Sequence, residues 1–232
     1  MKRSSFLKAG VAAAWMASTA AHAIGVLPEA SVVVVEQSTG EGAINVKNTD
    51  AFVVLLLTTL INTRDDTDNM LIVTPPAARV EPGKTQRVRF IMTSREPLKT
   101  ERLKHVTFDG VPPQQKGKSE VSTTAPQNLP VIIRPSCLIR DLAPWEHLTW
   151  KVKNDSLTVS NPSPYVVRLA QGVQTLPDNT TWTLPNDYVL PGQTLTVKVD
   201  SHKTLAAPKQ VRISPATTGG YAMDTYEATL SQ

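Results

Sequence analysis

In 232 residues the chain holds 24 Lys+Arg against 20 Asp+Glu, and three of the cations, Lys2, Arg3 and Lys8, precede an apolar run from Ala9 to Ala20 and an A-x-A site at Ala21-His22-Ala23. That arrangement reads as a secretory signal peptide over residues 1–23; the remaining 209 residues carry 21 cations against 20 anions, so the precursor's pI of about 9.2 gives no support to nucleic-acid or anionic-membrane binding. The single Cys137 excludes an internal disulfide and is expected to be buried as a small hydrophobe, and no apolar run after the signal is long enough to insert in a membrane.

Eighteen prolines, many Val/Thr pairs and no sustained helical period predict an all-β protein. Val32 to Val35 is a predicted strand, followed by a turn at Gln37 to Gly42. Ala43 to Asn48 alternates with its apolar residues on even positions, and Phe52 to Ile61 is a continuous apolar run that suits a central strand. Arg64 to Asn69 is expected to be a solvated loop; it lacks the glycine and the terminal glutamate of a calcium loop. Leu71 to Thr74, Thr85 to Met92 and Leu103 to Val111 continue the series, with Glu81-Pro82-Gly83-Lys84 as a β-turn between the first two.

Next comes Ser119 to Pro135, SEVSTTAPQNLPVIIRP, whose odd positions Val121, Thr123, Ala125, Leu129, Val131 and Ile133 are apolar or β-branched. A period of two reads as a strand with one face toward a core, and Pro126 and Pro130, which cannot donate to a ladder, predict an edge strand. A long edge strand is either a defended liability or a docking site for another chain. Beyond it, further strands are expected at Leu148 to Val152, Leu157 to Ser160, Tyr165 to Leu169, Val189 to Val199, Val211 to Ser214 and Tyr226 to Leu230. Short strands punctuated by turns in this way predict immunoglobulin-like β-sandwiches. The segment Val80 to Val88 echoes Val189 to Val197 around a shared Pro-Gly turn, so two related sandwiches are expected, with residues 24–135 forming one domain and 136–232 the other.

No nucleophile elbow, P-loop, zinc-protease motif or Cys/His pairing is present, and His105, His147 and His202 are scattered. The residues therefore predict no enzyme and no cofactor.

Four segments in order carry a family resemblance. They are Val73-Thr74-Pro75-Pro76 with Arg79 to Gly83 and Val88-Arg89-Phe90; Glu101-Arg102-Leu103 running to Phe108 and Val111-Pro112-Pro113; Ile132-Ile133-Arg134-Pro135; and Ser160-Asn161-Pro162-Ser163-Pro164-Tyr165. With them the chain resembles the PapD-like periplasmic pilus chaperones of chaperone–usher systems. The resemblance implies two immunoglobulin-like domains set as a boomerang, a periplasmic location, and partners that are pilin (fimbrial) subunits and an outer-membrane usher, with no metal or nucleotide. It implies that the last strand of the first domain completes a subunit's sandwich, with Val121, Thr123, Ala125, Leu129 and Val131 as donor side chains. It also implies an ion pair between Glu101 and Arg134 that ties the domains.

The family commonly places an arginine near the start of the first strand and a lysine in the last strand before the hinge, to hold the subunit's C-terminal carboxylate. Here Ser31 or Val32 and Pro130 stand at those positions. Arg168, three residues after Tyr165, is the candidate replacement: strand parity puts Val167 and Leu169 on one face and Arg168 on the other. Two other readings are a paralogue with weakened donor function serving a specialised tip subunit, and a structural component of the fibre itself. A fibre component needs its own donor segment after the signal, and Ile24 to Glu29 is too short for one.

Overall fold

The computed structural model describes residues 25–113, 126–153, 155–198, 208–217 and 219–231. The first sandwich is built from β1 (Val26–Pro28), β2 (Val33–Glu36), β3 (Glu41–Asn48), β4 (Val54–Asn62), β5 (Leu71–Thr74), β6 (Ala77–Val80), β7 (Thr85–Met92), β8 (Arg102–Val111) and β9 (Gln127–Arg134). Its ladder runs β5-β7-β3-β2-β9-β8-β4-β6, with β1 beside β3. Strands β2 and β3 share only the Glu36–Glu41 pair, so the ladder turns a corner there and closes over one core. That core takes the alternate residues Ile44 and Val46, Val88 and Phe90, Val106 and Phe108, and Leu129, Val131 and Ile133.

The second sandwich comprises β10 (Thr149–Lys153), β11 (Ser156–Ser160), β12 (Val167–Leu169), β13 (Gly172–Leu176), β14 (Thr180–Thr183), β15 (Tyr188–Val189), β16 (Thr194–Lys198), β17 (Gln210–Ile213), β18 (Pro215–Ala216) and β19 (Tyr226–Ser231). Seven of these form the order β14-β13-β17-β19-β10-β11-β16, and β15-β12-β18 form a small second layer. Trp150, Leu157, Val167, Val189, Val211 and Ile213 fill the space between.

The sequence echo between the halves has a structural cause. In both turns a glycine adopts positive φ, Gly83 at 69° and Gly192 at 74°, a region that costs a side chain dearly. Each turn docks on a buried asparagine: Gly83 donates to the Asn48 carbonyl and Gly192 to the Asn161 carbonyl. The Asn48 amide donates to the carbonyls of Phe52 (2.9 Å) and Val80 (3.0 Å), and the Asn161 amide to those of Tyr165 (2.7 Å) and Val189 (3.0 Å). One side chain thus satisfies two main-chain carbonyls and ties the turn to the strand beside it.

Several expectations need correction. Strand β4 is not a doubly buried central strand: Val54 and Leu56 face the core, whereas Leu55 and Ile61 are 45% and 42% exposed, because β4 lies in an outer layer with only one face covered. Strand β9 is not an edge strand along its length. It pairs with β8 from Gln127 to Ile133 and with β2 from Val131 to Arg134, so its ladder with β2 begins only at Val131. Pro130 stands one residue before that second ladder begins, where β2 offers no pairing. Cys137 is exposed rather than buried, since the ladder has ended at Arg134; its Sγ lies 4.0 Å from the Leu98 carbonyl.

Candidate functional site

The second domain covers one end of the outer face of β2, β9 and β8. Strand alternation sends Leu129, Val131 and Ile133 inward and Ile132 outward, where it joins Val32 and Leu103 against Val166 of the second domain, with Tyr188 and Leu190 alongside. Hydrogen bonds cross this apolar seam. The Glu101 N–H donates to the Pro164 carbonyl at 2.8 Å, the Val166 N–H to Glu101 Oε2 at 2.9 Å, Gln193 Nε2 to Asp65 Oδ2 at 3.1 Å, and Ser31 Oγ to the Gly220 carbonyl at 3.1 Å.

Glu101 and Arg134 meet at this junction. Arg134 Nε donates to Glu101 Oε1 at 3.3 Å, and its Nη1 reaches Glu36 Oε1 at 2.7 Å. The Glu101 side chain is 1% exposed and that of Arg134 10%. Burial pushes the Glu101 carboxyl above its ordinary value, and the Val166 N–H and the Arg134 charge offset only part of that. The carboxylate therefore grips the second domain's main chain with one oxygen and the first domain's arginine with the other.

Where the second domain's cover ends, a groove of about 550 Å³ opens between the domains. Its walls are Leu27 to Ser31 on one side and Gln127 to Pro130 on the other, and Arg168 and Tyr221 reach it from the second domain. Arg168 thus shares one groove with Ser31 and Pro130, while Val167 and Leu169 are buried in their own core. The Arg168 Nη1 is buried with no hydrogen-bond partner. Burial lowers its pKa, and the charge of Asp187 recovers part of the loss. A desolvated, under-partnered guanidinium is an electrostatic cost that an arriving anion relieves. Glu29 lines the groove too, but its carboxylate accepts the Asn45 N–H at 2.8 Å and the Asn45 side-chain amide at 2.9 Å.

The donor residues divide. Val121, Thr123 and Ala125 lie outside the described residues. Leu129, 7% exposed, and Val131, 0% exposed, are packed in the first sandwich's own core, so they are not available as donor side chains in this structure: β9 parity turns them inward. The part of β9 ahead of its ladder with β2 remains, bordering the groove.

Sequence reasoning missed one cluster. The loop expected to be solvated buries Asp66, whose carboxylate holds Arg102 Nε at 2.6 Å and Lys104 Nζ at 2.6 Å. Burial alone would raise the Asp66 carboxyl, yet the hydrogen bonds from Arg102 and Lys104 outweigh it and hold it below its ordinary value. The available signal was Lys104 itself, a lysine at a core position of a strand whose neighbours in phase are Val106 and Phe108. Of the histidines, His147 Nε2 lies 2.7 Å from Asp141 and His105 beside Tyr188; His202 lies outside the described residues. Among the described residues no helix is long and apolar enough to cross a membrane.

Two immunoglobulin-like sandwiches meet at an apolar seam and through the hydrogen bonds of Glu101 to the second domain's main chain, with a strand edge and a cation at their junction. Residues 25–138 match the family described as pili and flagellar-assembly chaperone, PapD N-terminal domain, and residues 143–225 match pili assembly chaperone PapD, C-terminal domain. The chain is 38% identical over 205 residues to the uncharacterised fimbrial chaperone YhcA of Escherichia coli (strain K12), covering 88% of this chain and 90% of that one. Its fold is similar to that of the SafB chaperone of Salmonella enterica, solved with the SafA pilin (TM-score 0.72, 21% identity, 89% of this chain and 97% of that one). It is also similar to the CupB2 chaperone of Pseudomonas aeruginosa (TM-score 0.70, 24% identity, 88% and 100%). The chain belongs to the PapD family of pilus-assembly chaperones. It is a fimbrial chaperone of the chaperone–usher type and not an enzyme, which leaves the fibre-component reading without support.

Proposed function

We propose that the chain acts in the periplasm after loss of residues 1–23, captures fimbrial subunits by lending them the strand that leads into β9, and delivers them to an outer-membrane usher. A subunit whose sandwich lacks a strand exposes an apolar groove and two unpaired edges, and such surfaces aggregate unless covered. An added strand covers both by burial and ladder hydrogen bonds, with no nucleotide or metal required. The likeness to SafB, which was solved with the SafA pilin, supports a pilin as the partner. The basic start, the short apolar run and the Ala21–Ala23 site support export.

The observation that carries the reading is the convergence of the start of β9 with Arg168 in the interdomain groove. In this proposal the subunit's C-terminal carboxylate pairs with Arg168, whose fork can bind both oxygens. The anchor has then moved from the first domain, where Ser31 and Pro130 stand, to the second. Arg168→Ala is expected to weaken binding of a fimbrial subunit by about 2–5 kcal/mol, read from the dissociation constant of the refolded complex. An unchanged constant contradicts the anchor.

A further inference from the structure

Tyr221 is 75% exposed and lines the same groove as Arg168, yet its backbone is tightly held. The Thr217 N–H donates to the Tyr221 carbonyl at 2.8 Å, and the Tyr221 N–H returns to Thr217 Oγ1 at 3.1 Å. Ala216 bridges Ala222, and on its other side Ala216 pairs with Arg168 in the β12–β18 ladder. The tight turn between them needs Gly220, which has φ of 83° and presents its carbonyl to Ser31 Oγ. A Cβ on Gly220 would fall 2.2 Å from Ser31 Oγ and 2.7 Å from a Val32 methyl, so only glycine lets the turn sit this close to the first domain. The tyrosine ring lies over Gly219, where an added Cβ would already touch it at 3.4 Å. The turn is thus tied to Arg168 by a ladder and to the first domain by Ser31, and it presents one aromatic ring with most of its surface in water.

An aromatic ring held by its backbone and left exposed beside an under-partnered guanidinium suits a ligand that is apolar next to a negative charge. Part of the remaining wall agrees, since Leu27 (53% exposed) and Pro28 present an apolar surface beside the polar Ser31, Gln127 and Asn128, and the Glu29 carboxylate is held by Asn45. We infer that Tyr221 is a specificity-determining residue: it favours subunits that carry an aromatic or aliphatic side chain within the last few residues before the C-terminal carboxylate. The inference rests on the proposed role of Arg168, and it adds a selection that a cation alone cannot make.

The test uses the isotopically labelled chain without its signal and three acetylated hexapeptides of alternating Val and Ser, titrated by nuclear magnetic resonance. One ends in Phe-Ser with a free carboxylate, the second has Ser in place of Phe, and the third is the Phe peptide as its C-terminal amide. The Phe peptide is expected to bind about 5- to 10-fold more tightly than the Ser peptide, the scale of one aromatic contact. Tyr221→Ser should bring that ratio close to one, and Tyr221→Phe should restore it. Arg168→Ala should weaken both free-acid peptides and leave the ratio in place. A ratio that survives Tyr221→Ser overturns the inference and spares the anchor, provided the acid still binds better than the amide. Equal binding of acid and amide overturns the anchor itself, and no binding in the millimolar range overturns the groove as a peptide site.

Discussion

Val121→Asp is expected to abolish capture of a fimbrial subunit while the free chain keeps its melting temperature. The sandwich's own core in this part of the chain is filled by Leu129, Val131 and Ile133, so the side chains offered to a subunit must come from upstream, where Val121, Thr123 and Ala125 alternate. An aspartate there would have to enter an apolar groove as a charge or take up a proton, and either costs several kcal/mol. The prolines sharpen the assignment. Pro126 and Pro130 each remove a donor, and Pro130 falls where β2 gives no pairing, so the segment before Pro126 is the part able to make an uninterrupted ladder. Co-expression of the variant with a subunit, followed by affinity purification, reads the outcome. Normal recovery of the complex contradicts donor use of this segment.

Arg134→Ala is expected to lower the stability of the chain by about 3–5 kcal/mol near neutral pH, because it strands the buried Glu101 carboxylate beside Val166 without its cation. The pH dependence has a definite sign. The folded-state carboxyl of Glu101 is raised above its ordinary value of 4.5, so the folded chain takes up this proton more readily than the unfolded one. The stability contributed by Glu101 is therefore greatest below about that value and is lost as pH rises through the folded-state value. Removing Arg134 raises the carboxyl further, so the variant's deficit should be large at pH 7.5 and should narrow toward pH 5. Urea midpoints at the two pH values check this, and a deficit that is absent, or that grows on acidification, contradicts the clasp. Glu101→Gln keeps an acceptor for the Val166 N–H and is expected to cost less than Arg134→Ala.

Much of the fold was legible because alternation and turn chemistry are local. Ile44, Val46, Val88 and Phe90 announce a buried face by period alone, and the Pro-Gly turns at Gly83 and Gly192 announce the repeat. Burial that depends on a distant partner was not legible. Asp66 looks like one acid in a polar loop until Lys104 and Arg102 are folded beneath it. The run through β4 looks doubly buried because nothing local says that Leu55 and Ile61 face away from the core. Within the site, the parity of Val167, Arg168 and Leu169 could be read from three residues. The role of Tyr221 could not, since it depends on Gly220 meeting Ser31 across 189 residues of chain.

The central claim is that a subunit is held as an added strand along the segment leading into β9. Backbone amide hydrogen exchange, resolved by residue in the free chain and in the purified complex with a subunit, tests it most directly. Amides in residues 119–125 are expected to slow by about a hundredfold or more on complex formation, as follows when a segment gains ladder hydrogen bonds, while those of β4 and β19 change little. A complex that forms at full affinity with exchange across residues 119–130 unchanged would contradict it.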